Sequence, residues 1–335
     1  MRRLSVELAE YWQYKPIPKK HPLRKAAAGY CLNSDKSKLF LFGGFDADFR
    51  CSGNLYVIKT SDFSTEDIVT TSISPRINHE MYFWNDSIII AGGASFGHSS
   101  PILIYSEIVI ITLPSYRIRN IQVPQMGLRF NSFFDYARGI LYYSGGLDTD
   151  NVIYKTDILS GKTQELRDPS YFARSGATSQ NFENSAIVFS GFTRQFPPGT
   201  EPVLQEKLNS DFPVCHSDYY LITLGNDGIT HKACNEFAGR IFSKAVVISK
   251  YNKIFFVFGT YNGIENSRSI IFYDYKKDYF NNLFIQEFPR SVTEPVAFYL
   301  DDKNKLYIIG GVSNSKVQNL LWELDLEKID NAELI

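Results

Sequence analysis

Six arginines, Arg24, Arg76, Arg129, Arg174, Arg240 and Arg290, are the polar residues of this 335-residue chain whose spacing suggests chemistry. They precede the glycine-ended apolar runs at Gly43, Gly92, Gly145, Ser190, Gly259 and Gly310 by 19, 16, 16, 16, 19 and 20 residues. A guanidinium presents a planar fork of donors that matches a carboxylate two bonds at a time. If the fold gathers these positions onto one rim, the chemistry they offer is recognition of an acidic group. The competing use is structural: Asp46, Asp48, Asp148, Asp150 and Glu265 follow the same runs and would neutralise the arginines from within.

Other reactive residue types lack a working context. Gly93-Ala94-Ser95-Phe96-Gly97 spells the nucleophile elbow of hydrolases, but that motif works only as a strand-to-helix turn, and the following Pro101 to Ile111 is β-rich. The five histidines, His21, His79, His98, His216 and His231, include no pair with metal-ligand spacing. His98 and His216 fall on loops after apolar runs and are retained as candidate binding residues. Cys31, Cys51, Cys215 and Cys234 form no CxxC pair, as expected for small buried thiols in a reducing compartment. No glycine-rich phosphate loop is present. No catalytic residue, metal or cofactor is assigned.

Charge narrows the partners. With 35 Lys+Arg against 36 Asp+Glu the net charge is −1, which gives no electrostatic basis for nucleic acid or an anionic membrane. The N-terminus has acidic residues, Glu7 and Glu10, where a signal peptide needs an apolar run, so a cytoplasmic, monomeric protein is expected.

The elements that must position the arginines repeat six times. The runs Leu39 to Gly44, Ile88 to Gly93, Ile140 to Gly146, Ala186 to Gly191, Ile254 to Gly259 and Leu306 to Gly311 share one pattern, and successive arginines are 52, 53, 45, 66 and 50 residues apart. A period near 50 residues marks a propeller blade. Each unit reads as four short strands, and the glycine-ended second strand, apolar on both faces, must be covered on both. No amphipathic helix of useful length is evident, so the chain is all-β.

Pro75-Arg76-Ile77-Asn78-His79 leading to Gly92-Gly93, and Pro289-Arg290 leading to Gly310-Gly311, resemble the kelch-repeat family. The resemblance implies a six-bladed kelch-type β-propeller with four-stranded blades. The blades are expected at about 24–74, 75–126, 127–170, 171–238, 239–288 and 289–335, and residues from about 4–14 would close the ring as the outer strand of the last blade. In some kelch substrate receptors, arginines at this repeat position bind acidic peptides. The expected function is therefore a non-catalytic module binding a protein or acidic peptide on its arginine-lined face. The insertion at 192–217, with Phe196 and Phe212, would add to that surface. The alternative is a small-molecule enzyme resembling the kelch sialic-acid mutarotases, with the channel mouth as its sugar pocket.

Overall fold

The computed structural model describes residues 12–18, 20–97, 100–146, 150–192, 215–234, 237–261, 267, 269–284 and 292–329. Every blade builds on a second strand too apolar to face water. Lys38–Phe45, Ser87–Ala91, Ile140–Ser144, Ser185–Phe189, Lys253–Val257 and Lys305–Ile309 each sit between two neighbours in a four-stranded antiparallel sheet. The innermost strands are Ala26–Leu32, Glu80–Trp84, Asn131–Asp135, Thr178–Phe182, Lys244–Ile248 and Val296–Leu300. The third strands run Asn54–Lys59, Glu107–Thr112, Ile153–Asp157, Asp218–Thr223, Ser269–Asp274 and Leu320–Asp325. Thr65–Thr70, Arg117–Gln122, Thr163–Leu166, Gly228–Ala233 and Tyr279–Phe284 are outermost in blades one to five.

The sixth blade borrows its outer strand from the other end of the chain. Trp12–Pro16 pairs antiparallel with Leu320–Asp325, from Trp12 opposite Leu324 to Pro16 opposite Leu320. Trp12 meets Trp322 edge-on, and Tyr14 leans on the same ring. The described part of the closing strand includes 12–14 of the expected 4–14 and runs on to Pro16; residues 1–11 are outside the described residues.

The core is divided among the clefts between blades. Leu41, Ile58, Phe298 and Ile309 fill the cleft between blades one and six, and five further clusters fill the others. Each blade buries both faces, which satisfies the two-sided apolar character of the second strands.

Each second strand ends in two residues with positive φ. They are Gly43-Gly44, Gly92-Gly93, Gly145-Gly146, Ser190-Gly191, Phe258-Gly259 and Gly310-Gly311. In blade five the pair is Phe258-Gly259, one position earlier than the Gly259-Thr260 read from the sequence. The second member ties one blade to the next: the N–H groups of Gly44, Gly146, Gly191, Gly259 and Gly311 donate to the carbonyls of Arg76, Arg174, Arg240, Val292 and Lys25. A Cβ at Gly145 would stand 2.1 Å from the Arg174 oxygen and one at Gly43 2.1 Å from the Arg76 oxygen, so these positions exclude side chains.

Candidate functional site

All of the residues whose carbonyls receive those inter-blade bonds, except Val292, also anchor their own blades through their side chains. Arg76 Nη1 donates to the Gly92 carbonyl at 3.0 Å, and Nη2 pairs with Glu107 Oε1 at 2.8 Å. Arg174 Nη1 reaches the Ser190 carbonyl at 2.9 Å and Asp218 Oδ1 at 2.6 Å. Arg240 Nη1 reaches the carbonyls of Phe258 at 3.3 Å and Ser269 at 3.1 Å. These three arginines are 1%, 2% and 1% exposed and stack on Tyr105, Tyr220 and Tyr261. Buried in this way, they hold the first strand to the start of the second turn and offer a ligand almost no surface.

Structural equivalence departs from the arginine register at the other positions. In blade one the anchor is Lys25, one residue after Arg24; its Nζ donates to the Gly43 carbonyl at 3.0 Å, over the ring of Tyr56. Burial lowers the Lys25 pKa to about 8, against the pull of Cys51 and Asp46. Val292 takes the corresponding place in blade six. Arg129 stands two residues beyond it in blade three, at the position of Asn78, Gly176 and Phe242. Arg290, His98, Phe196 and Phe212 lie outside the described residues, as do 193–214 of the insertion.

That second position is the more informative one. Ala27, Asn78, Arg129, Gly176, Phe242 and Glu294, one from each blade, all have positive φ. Backbone N–H groups of Ala27, Asn78, Gly176, Phe242 and Glu294 donate to the carbonyls of Glu294, Ala27, Arg129, Gly176 and Phe242 respectively. Five of the six seams of a ring of peptides around the channel axis are thus hydrogen-bonded.

Side chains close the ring further, in two related pairs. Asn78 Nδ2 donates to Glu294 Oε1 at 2.8 Å, bridging over the small Ala27 of blade one. The guanidinium of Arg129 lies 4.1 Å over the ring of Phe242, across Gly176 of blade four. A Cβ at Gly176 would meet Phe242 Cε1 at 2.8 Å, so only glycine leaves room for that stack. Arg129 is half-buried, its Nε is out of reach of water, and no side-chain hydrogen bond or ion pair engages it among the described residues. It shares an aromatic support with Arg76 and Arg174 but, unlike them, meets no carboxylate among the described residues.

Other candidates occupy less open places. Arg24 is half-buried at the end of a turn, its backbone N–H on the His21 carbonyl at 3.0 Å. His216 packs at the base of the insertion, its N–H on the Gly191 carbonyl at 2.8 Å. Burial lowers the His216 pKa to about 4, with the Arg174 charge adding to that and Asp218 opposing it. Burial raises the Asp218 pKa, but Arg174 and His231 outweigh this and hold the carboxyl below its ordinary range.

Beneath the ring the channel widens into a chamber of about 500 Å³ lined by all six innermost strands. Its mid-depth charges, Glu80 and Lys244, are residues that the arginine pattern did not bring forward. Both stand two residues after their ring positions, in blades half a turn apart. Opposite charges at the same repeat offset were the available signal.

No family model and no curated protein matches the chain. Among solved structures, the one titled "Structure of YjhT" aligns with a TM-score of 0.68 over 91% of this chain and 95% of that one, at 11% sequence identity. At that identity the likeness is one of fold, and with six four-stranded sheets in a closed ring the chain is a six-bladed β-propeller.

Proposed function

We propose that this propeller is a non-catalytic binding module of the kelch type, acting as a monomer inside the cell and docking an acidic segment of a partner protein on the face that carries Arg129. The observation that carries this reading is the Arg129 guanidinium: supported on Phe242, held at the centre of the loop-rich face, and without a carboxylate among the described residues. A cation held ready in this way gains more from an incoming carboxylate than one already neutralised. The free thiols of all four cysteines agree with a reducing compartment.

The same geometry reduces the arginine-lined rim to fewer residues. Arg76, Arg174 and Arg240 support the face from below, and Arg129, with Arg24 at its edge, is the part a ligand reaches. The alternative is a sugar-processing enzyme using this mouth as its pocket.

The test is binding of fluorescent acidic peptides, with sialic acid as competitor. Arg129→Ala should abolish peptide binding while leaving the melting temperature within about 2 °C of the parent, as a partly exposed residue with no hydrogen bond predicts. Peptide affinity unaffected by the substitution would remove Arg129 from the site. Stabilisation by sialic acid alone would favour the enzyme.

A further inference from the structure

The chamber below the ring holds a charge arrangement that the acidic-segment reading does not use. Lys244 Nζ donates to Glu80 Oε1 at 3.0 Å, joining blade five to blade two across the channel. The two side chains keep 20% and 38% of their surface accessible although they lie deep in the propeller. Accessible surface at that depth belongs to groups that line an internal space.

Around this pair the hydroxyl groups are already engaged. Tyr30 Oη donates to the Ala297 carbonyl at 2.7 Å, Tyr82 Oη meets Ser132 Oγ at 2.7 Å, and Ser179 Oγ donates to the Ser132 carbonyl at 2.6 Å. These hydroxyls are satisfied within the walls. At mid-depth the ion pair is the polar feature that a ligand can exchange with.

Exchange selects for net charge. A buried ion pair contributes little net stability, whereas removing one member strands the other at considerable cost. A cationic guest on Glu80 would strand Lys244, and an anionic guest on Lys244 would strand Glu80. A guest carrying both charges replaces each partner of the pair and strands neither. The chamber's lining runs from the ring residues to Asn33, Phe83, Asn181 and the half-exposed Tyr136, which offer a guest a way in from the face opposite the ring.

We propose that this chamber binds a small zwitterion of the α-amino-acid type, its ammonium on Glu80 and its carboxylate on Lys244, with its side chain against Tyr30 and Tyr82. Arg129 lines the ring end of the same chamber, whereas the contacts proposed for the guest are with Glu80 and Lys244 at mid-depth. The experiment uses the full chain and the standard amino acids as probes, each at millimolar concentration, in a thermal-shift screen followed by calorimetry. At least one should raise the melting temperature. Its amide, a cation, and its N-acetyl derivative, an anion, should bind about a hundredfold more weakly or not at all, the scale expected for stranding one charge of a buried pair. Glu80→Gln and Lys244→Met, each shown to be folded by circular dichroism, should lose the binding. The proposal is overturned if no amino acid shifts the melting temperature, or if the amide or N-acetyl derivative binds as tightly as its parent. Because the screen and derivatives use the unaltered protein, these outcomes do not depend on how the variants fold.

Discussion

At the scale of single residues, four side chains of two types perform one task. Lys25, Arg76, Arg174 and Arg240 reach the carbonyl of the first left-handed residue at the end of their blade's second strand. Arg76 and Arg174 add a carboxylate from the third strand, so removing Arg76 strips Glu107 of its cation and removing Arg174 leaves Asp218 with only the exposed His231, each in a mostly buried place. Arg76→Ala and Arg174→Ala should each destabilise the protein by about 3–5 kcal/mol, measured by urea unfolding. A loss below about 1 kcal/mol would mean the guanidiniums are not anchors. Histidines set the acid response. His79 is fully buried, and desolvation, aided by the Arg76 charge, holds its pKa well below the ordinary value; burial likewise lowers His216 to about 4. The unfolded chain takes up these protons near pH 6.5 while the folded chain resists them. Stability should therefore fall as the pH drops below about 6.5, each histidine contributing at most about 1.4 kcal/mol per pH unit. His216→Asn should flatten the slope of melting temperature against pH between about 6.5 and 4; an unchanged slope would assign the acid response elsewhere.

At the scale of elements, the paired left-handed residues explain why the glycine signal was strong in some units and faint in others. The second position is glycine in all six blades. At the first, Ser190 and Phe258 take the same conformation with φ of 58° and 52°. A sequence reading that follows glycine alone therefore slips by one in blade five, where only Gly259 marks the pair. The same physics slips the arginine register. Lys25 substitutes for arginine as an anchor because an ammonium also reaches a carbonyl, so Arg24 appeared to hold a place that belongs to its neighbour. Gly145 is the most direct test of the pair. It has φ of +76°, and an added Cβ would meet the Arg174 oxygen at 2.1 Å. Gly145→Ala should cost at least about 1–3 kcal/mol in chemical denaturation through backbone strain alone, whereas alanine at the roomier Gly161 should cost less, since its nearest neighbour would be Ile121 at 3.5 Å.

At the scale of the whole molecule, stability is a property of the closed ring. Each hydrophobic cluster is shared between adjacent blades, and the cleft between blades one and six is filled like the rest. Closure is made by Trp12–Pro16 on the outside and, near the axis, by the Gly311 N–H on the Lys25 carbonyl and the Ala27 N–H on the Glu294 carbonyl. Deleting residues through Pro16 would unpair the edge of Leu320–Asp325 and uncover Trp322, which Trp12 and Tyr14 cover. The truncated protein should melt at a lower temperature and over a broader range in calorimetry, since repeats that lose a neighbour uncouple from the array. An unchanged, fully cooperative transition would show that the ring does not depend on its outer clasp.

What the sequence determined by itself is the periodic part of this protein. Two-sided apolar strands must be covered on both faces, and six of them at a spacing near 50 residues leave a ring of sheets as the economical arrangement, so blade number, strand order and the use of an N-terminal strand in the last blade were all legible. What only tertiary structure decided is the side-chain chemistry at the axis. Whether Arg76 and Arg129 do the same thing depends on two residues of offset, and that offset is set by which carbonyl of the next blade each segment meets. Glu80 and Lys244 are 164 positions apart, and nothing local to either reveals that half a turn of the ring brings them within a hydrogen bond.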